Sequence, residues 1–319
     1  MSVTKKIILA ALAAVAVVLG GTYFLLSQPD IPRRVLEAKY LAPPSQLVVL
    51  SDGARVHYRD RGPRDAPVLV LLHGSNSSLL DWEPWSNILS DKFRVVTVDL
   101  PGHGLTGAVP NGDYSESGMA AFVNAFADKL GLGRFAIGGN SMGGGVAARF
   151  AEMYPQRVDH LILVDAMGMK TGSGDRLPLA FRLARTPILN RLLLRVTPRS
   201  MVVEGLNDAI VRKAVLTDAM IDEYWDFARM EGTRQVTVAR FQLPEDFYVS
   251  EHVGAIKVPT LILWGEEDHL IPVAAAHAWA NAIPGSKLII YPATGHLPME
   301  EVAGESAGDV RTFLGKPAQ

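Results

Sequence analysis

The pattern Gly139-x-Ser141-x-Gly143 lies inside the run Ala136-Ile137-Gly138-Gly139-Asn140-Ser141-Met142-Gly143-Gly144-Gly145. This spacing is that of a nucleophile elbow, a sharp strand-to-helix turn that presents a serine hydroxyl. The flanking glycines supply clearance, since a Cβ at either would collide with the neighbouring strand and helix. A serine hydroxyl is a poor nucleophile at neutral pH. It needs a base within hydrogen-bond reach, and that base needs a third group to fix its tautomer. The chain offers eight histidines and no cysteine. A thiolate nucleophile, a disulfide and a Cys-ligated metal are therefore excluded. No set of His, Asp and Glu stands at metal-ligand spacing, and Ser–His–Asp chemistry needs neither metal nor cofactor. Gly143-Gly144-Gly145 opens the helix behind the turn and is not read as a phosphate cradle.

Such a turn must be held by a strand before it and a helix after it. Arg134-Phe135-Ala136-Ile137 is short and apolar and reads as a buried strand. Val146 to Tyr154 reads as a helix stopped at Pro155. Earlier, Gln46–Leu50 and Arg55–Arg59 are strands joined at Asp52-Gly53, a hairpin signal. Val68–Leu72 is a buried strand running into His73-Gly74-Ser75, followed by a helix over Leu80–Leu89. Phe93–Val98 is the next strand, ending in Asp99-Leu100-Pro101-Gly102-His103-Gly104, and Tyr114–Leu130 has helical spacing. Leu161–Val164 ends at Asp165. From Ala166 to about Ser250 no strong strand is visible, and short helices are expected at Leu179–Ala184, Ile188–Val196, Asp208–Val215 and Asp218–Met230. Strand logic resumes with Thr260–Trp264, a helix near Val273–Ala282, the strand Lys287–Tyr291 and a last helix through Val310–Leu314. Alternating apolar strands and helices imply a mostly parallel sheet covered on both faces.

With 319 residues, the chain has room for one large α/β domain with an insertion, or two modest domains. Its 31 basic and 33 acidic residues leave a net charge of −2, which gives no reason to expect a nucleic-acid partner. Ile7 to Leu26 is an uncharged run of 20 residues. As a helix it would be about 30 Å long, the thickness of a bilayer core. No clean small-x-small cleavage site follows, so residues 1–28 are expected to be an uncleaved single-pass membrane anchor, with a cleaved signal as the alternative. The expected membrane is a bacterial inner membrane. Lys5 and Lys6 on one side are balanced by Arg33, Arg34 and Lys39 on the other, so the positive-inside rule does not set the orientation. Residues 29–45 hold Pro29, Pro32, Pro43 and Pro44 and read as a linker with a helical turn or two.

His73-Gly74, Asp99-x-Pro101-Gly102-His103-Gly104, Gly139-Asn140-Ser141-Met142-Gly143-Gly144, Trp264-Gly265-x-x-Asp268-x-x-x-Pro272 and Gly295-His296 occur in this order at strand ends. Together they make residues 46–316 resemble the α/β-hydrolase family. The resemblance implies an α/β-hydrolase fold. That fold is a mostly parallel eight-stranded sheet with helices on both faces and a helical cap, here at about 168–250, preceded by an N-terminal transmembrane helix.

The chain order expected for this fold is Ser, acid, His. His296 follows the last strand, so a loop can swing it over Ser141, and it is the expected base. His73 and His103 belong to site loops and are expected to hold loop geometry; His57, His160, His252, His269 and His277 have no motif context. Asp268 lies four residues after the strand ending at Trp264, where the family places its acid; Glu267 and Asp165 are the alternatives. The oxyanion donors are expected to be the backbone N–H groups of Ser75 and Met142. Serine at the elbow separates the chain from halide- and epoxide-opening relatives, which use aspartate there. Carboxylesterase or lipase chemistry is the leading reading, with a small-molecule ester or an acyl lipid as substrate. A carbon–carbon bond hydrolase of vinylogous diketones is the second, although Ser75-Asn76-Ser77-Ser78 replaces the Gly-rich loop of those enzymes. Their substrate carboxylate needs a cap arginine, for which Arg182, Arg185, Arg191, Arg195 and Arg199 are available, although a charged outer helix face explains these residues equally well. A haloperoxidase-like or other small-ester activity is a third. A catalytically dead, tethered binding protein is the reading from another class, and an intact Ser–His–Asp set argues against it.

Overall fold

The computed structural model describes residues 2–169, 195–243 and 252–315. Eight strands form one sheet in the order β1-β2-β4-β3-β5-β6-β7-β8. β1 (Ser45–Val49) and β2 (Arg55–Arg61) form the expected hairpin, and β2 also runs antiparallel to β4 (Arg94–Val98). β3 (Val68–Leu72), β4, β5 (Phe135–Asn140), β6 (Val158–Val164), β7 (Thr260–Gly265) and β8 (Lys287–Tyr291) are parallel to one another. The central strands are apolar at nearly every position because helices cover both faces. On one face α4 (Glu116–Lys129), α5 (Met142–Met153) and α9 (Ala274–Ala282) pack over Val70, Val96, Ile137 and Ile262. On the other, α3 (Glu83–Leu89) and α10 (Ala303–Leu314) pack over Leu69, Leu71, Val95 and Leu261. Each fully buried Val, Leu or Ile contributes about 1.5–3 kcal/mol. These two cores fix the strand ends to which the site loops are attached.

Three helices of the insertion fall among the described residues: α6 (Arg199–Ala209), α7 (Asp218–Ala228) and α8 (Thr233–Phe241). The helix expected at Asp208–Val215 is not formed there. α6 ends at Ala209, Ile210 turns extended, and only the short 3₁₀ turn Lys213–Val215 follows. α8 carried no clear apolar period and was not anticipated. The expected helix Leu179–Ala184 lies outside the described residues, as does Ile188–Val196 up to its last two positions. Val196 itself is extended and forms an antiparallel bridge with Ser27.

The N-terminal run forms α1 (Val3–Leu26), in which no residue is buried. The helix is long and apolar enough to cross a membrane. The segment after it is not a free linker. α2 (Arg33–Tyr40) buries Leu36 with Leu105, Phe227 and Met230 in a third, smaller core. The Gln28 N–H donates to Arg195 O (2.7 Å) and the Ile31 N–H to Arg229 O (2.7 Å), and the Glu231 N–H returns a bond to Ile31 O. Arg234 bonds Gln28 O and the Asp30 carboxylate, while Arg33 bonds the carbonyls of Leu105 and Thr106. Residues 28–40 thus strap the insertion to the loop after β4. The prolines that suggested a linker serve to bring the chain across this surface in extended form.

A second fastening joins α7 to the loop after β3. Ser78 Oγ donates to the Glu223 carboxylate (2.8 Å), and Tyr224 OH donates to Asp81 (2.9 Å). Asp81, Glu223 and Tyr224 border a cavity of about 540 Å³, which Glu300 also lines. Burial, with Asp81 nearby, pushes the Glu223 carboxyl up to about 8 from its usual 4.5. The folded protein therefore holds a proton that the unfolded chain releases near 4.5. Burial of this carboxyl thus costs the fold least at low pH, and stability falls as pH rises toward 8. The thermal midpoint of Glu223→Gln is expected to decline less between pH 5 and pH 8.5 than that of the unaltered protein. Equal slopes would show that Glu223 is ionised throughout.

Candidate active site

β5 ends at Asn140, and α5 begins at Met142. The one residue between them, Ser141, turns the chain with φ +53° and ψ −120°, a conformation that costs of order 1–3 kcal/mol for a residue with a Cβ. The turn closes only because its flanks are bare. A Cβ on Gly139 would strike the Gly143 backbone, and one on Gly143 would strike the carbonyls of Leu72 and His73. The strain is held by backbone bonds on both sides. Ser141 N–H donates to Val164 O, and Ser141 O accepts from Gly144, Gly145 and Met167.

The loop after β3 comes directly over this turn. Gly74 stands against Asn140 and Ser141, where an added Cβ would lie 3.3 Å from Ser141 Cβ. Ser75 reaches Met142, with Ser75 Oγ 3.4 Å from Met142 Sδ. The two residues expected to supply oxyanion donors are therefore neighbours. His73 is sealed from solvent. Its Nδ1 donates to Gly74 O (2.7 Å) and its Nε2 accepts from the Leu100 N–H (3.0 Å). Burial holds this imidazole below its ordinary pKa, which suits a neutral ring used as a brace. His103 is likewise buried, neutral and bonded to Pro101 O. Both have the loop-holding geometry expected of them. His57, without motif context in the sequence, pairs with Asp99 in the core (2.6 Å). Asp99 also accepts the N–H groups of Leu79 and Leu105, so this second His–Asp pair knits the two loops.

His296 and Asp268 meet beside the elbow. His296 Nδ1 lies 2.7 Å from Asp268 Oδ2, with both side chains almost wholly buried. The other Asp268 oxygen accepts the N–H groups of Leu270 (2.7 Å) and Ile271 (3.0 Å). Glu267, the neighbouring alternative, is exposed. Asp165, the other alternative, is buried at the end of β6, and its Oδ1 accepts the Gly265 N–H. Asp165, Asp268 and His296 each place one ligand-type atom within 4.8 Å of the others. Among the described residues this is a trio that could approach a metal. Asp268 already spends both oxygens on N–H donors, however, so the arrangement fits a hydrogen-bonded acid–base set better than a coordination sphere.

Two positioning residues escaped the sequence reading. The Asn140 amide donates to His296 O (2.9 Å) and Val164 O (3.2 Å), which ties the histidine loop to the residue before Ser141. Glu301 is buried. One oxygen accepts the Gly295 N–H and the other accepts those of Val211 and Arg212, while the His296 N–H bonds to Ala209 O. The histidine loop is thus pinned from the insertion as well as from the sheet. A polar residue in an otherwise apolar strand was the signal for Asn140; Glu301 gave none.

Of the five insertion arginines available for a substrate carboxylate, Arg182, Arg185 and Arg191 lie outside the described residues. Arg195 offers its backbone to Gln28, and Arg199 is paired with Asp218 and Asp222. Arg240 on α8, not singled out from the sequence, is the insertion arginine that reaches the loop after β3. Its Nη1 lies 3.3 Å from Ser75 Oγ and 3.4 Å from His103 Nε2, and its Nε is sealed from solvent with no acceptor. Burial lowers this guanidinium to about 10, against the favourable field of Glu116.

The sequence profile of the alpha/beta hydrolase fold matches residues 67–302. An uncharacterized protein of Mycobacterium tuberculosis is 31% identical over 299 residues, covering 88% of this chain and 84% of that protein. A 2-hydroxy-6-oxo-6-(2'-aminophenyl)hexa-2,4-dienoic acid hydrolase of Metapseudomonas resinovorans is 28% identical over 278 residues, covering 85% and 91%. Among solved structures, a membrane phospholipase A described as a bacterial virulence factor superposes with a TM-score of 0.70 at 25% identity. It covers 97% of this chain and 98% of its own.

Proposed function

Because the chain belongs to the alpha/beta hydrolase fold family, we propose that it is a serine hydrolase that cleaves carboxylic esters through an acyl-enzyme. Ser141 is the nucleophile, His296 the base and Asp268 the group that orients it. His296 Nε2 takes the hydroxyl proton as Ser141 Oγ bonds to the carbonyl carbon. The backbone N–H groups of Ser75 and Met142 receive the oxyanion, and the departing alcohol carries away the proton. Water then attacks the acyl-enzyme by the same proton path and releases the acid. The observation that carries this reading is the buried run of contacts from Asp268 through His296 to Asn140, which ends beside the strained Ser141.

Acyl lipids are the proposed substrates, and α1 is the proposed single-pass membrane anchor. The support is the length and apolarity of α1 and the likeness to a membrane phospholipase A over nearly the whole chain. One observation favours a second reading. The Arg240 guanidinium, with its Nη1 beside Ser75 and its Nε sealed without an acceptor, suits a substrate with a carboxylate near the scissile bond, as in the dienoic acid hydrolysed by the Metapseudomonas relative.

Treating the full-length protein with a fluorophosphonate probe is expected to modify Ser141 alone. A panel of p-nitrophenyl esters, monoacylglycerols and a vinylogous diketone separates the two readings. Turnover of the esters with none of the diketone supports ester hydrolysis, and the reverse supports carbon–carbon cleavage. Neither labelling nor turnover would overturn both and leave a tethered binding protein.

A further inference from the structure

Two buried carboxyl groups stand beside one imidazole, and the proposed chemistry uses only one of them. Asp165 is fully buried and its backbone sits in the left-handed region with φ +43°, which an aspartate tolerates better than most side chains. Its hydrogen bonds are few. Oδ1 accepts one N–H, from Gly265 (2.9 Å), and Oδ2 is sealed from solvent with no donor to accept from. Asp268, by contrast, accepts three N–H donors: Leu270, Ile271 and His296. A carboxylate presents about four acceptor positions, so one on Asp268 remains open. Ligand-type atoms of Asp165, Asp268 and His296 all lie within 4.8 Å of one another.

Two carboxylates this close in a dry site do not both stay ionised. The one with more donors keeps the charge, because hydrogen bonds to a carboxylate favour its ionised form. That is Asp268. An ionised Asp165 would leave a buried negative oxygen without a partner, whereas a protonated Oδ2 becomes a donor with an open acceptor beside it.

Resting on the serine-hydrolase reading, we propose that Asp165 is a positioning residue of the triad. It carries a proton at neutral pH and gives it as a hydrogen bond to the Asp268 carboxylate, which is thereby fixed on a further side while it holds His296.

The surroundings agree. Burial, then the negative charge of Asp268, push the Asp165 carboxyl well above its ordinary range. The other titratable groups facing it are His296 and Glu301, from the segment after β8, and Tyr291 at the end of β8. Glu301 adds a further upward push on Asp165, and its own oxygens are spent on Gly295, Val211 and Arg212. No cation of the described residues is paired with Asp165.

The test is the pH profile of kcat/KM on a water-soluble ester, measured on the full-length protein in detergent. In Asp165→Asn the neutral amide replaces a neutral acid and can still donate. The acid limb set by His296 is then expected to stay in place. An ionised Asp165 would instead hold the imidazolium up, and its removal would shift the limb down by about a unit, which would overturn the proposal. Asp165→Leu removes the donor. A fall in kcat of about ten- to a hundredfold with KM held is expected, with Asp165→Asn recovering at least part of it. Equal kcat in the two variants would also overturn the proposal. If Asp165→Leu does not fold, the infrared difference between the unaltered protein and Asp165→Asn at pH 7 decides. A protonated-carboxyl stretch is expected, and its absence refutes the assignment. Fluorophosphonate labelling of Ser141 reports on the serine-hydrolase reading separately, so the two can fail independently.

Discussion

Ser141→Ala is expected to abolish ester hydrolysis while the protein stays folded. Loss of the nucleophile in a serine triad lowers kcat on the order of 10⁶-fold, leaving only the contribution of binding and oxyanion contacts. The fold should tolerate the change. Alanine keeps the Cβ around which the turn is packed, and the bonds that hold the strained backbone run through Ser141 N and O, not through its hydroxyl. The measurement pairs ester turnover with a thermal melt. Full activity with an unchanged melt would move the nucleophile elsewhere.

Asp268→Asn is expected to lower kcat by about 10⁴-fold, far more than Asp165→Asn. The amide oxygen can still accept the N–H groups of Leu270 and Ile271. That places the NH₂ group against His296 Nδ1. The imidazole must then present a lone pair at Nδ1 and carry its proton on Nε2, and in that tautomer it cannot accept the Ser141 proton. The pair is buried, so water does not readily restore the productive form. A loss below tenfold, or a larger loss in Asp165→Asn, would transfer the orienting role to Asp165.

Much of the candidate site was legible because short motifs sit at strand ends. Gly139-x-Ser141-x-Gly143 demands a particular turn, and that turn allows few neighbours. His296 and Asp268 follow strands whose apolar runs are unmistakable. The groups that were not legible act through partners remote in sequence. Glu301 bonds Val211, 90 residues away, and Arg240 reaches Ser75 across 165 residues. Neither has a periodic or local signature. The protonation of Asp165 depends on which of two carboxyls collects more N–H donors, and that count exists only in three dimensions. Helix bounds in the insertion were misplaced for a related reason. Short amphipathic pieces there are fixed by packing on one another and on α2, and intrinsic preference decides little.

The strap of residues 28–40 redraws where the packed body starts. An N-terminal deletion ending at Leu26 would strip away side chains none of which is buried. One ending at Pro44 would also take Leu36, Arg33 and the backbone partners of Arg195 and Arg229. It would lay bare Leu105, Phe227 and Met230, and it would unlatch the insertion from the loop that His57 and Asp99 brace. The sheet begins at Ser45, but the working unit reaches back to Gln28. A protease that cuts at the foot of α1 leaves that unit whole, and one that cuts a dozen residues later does not.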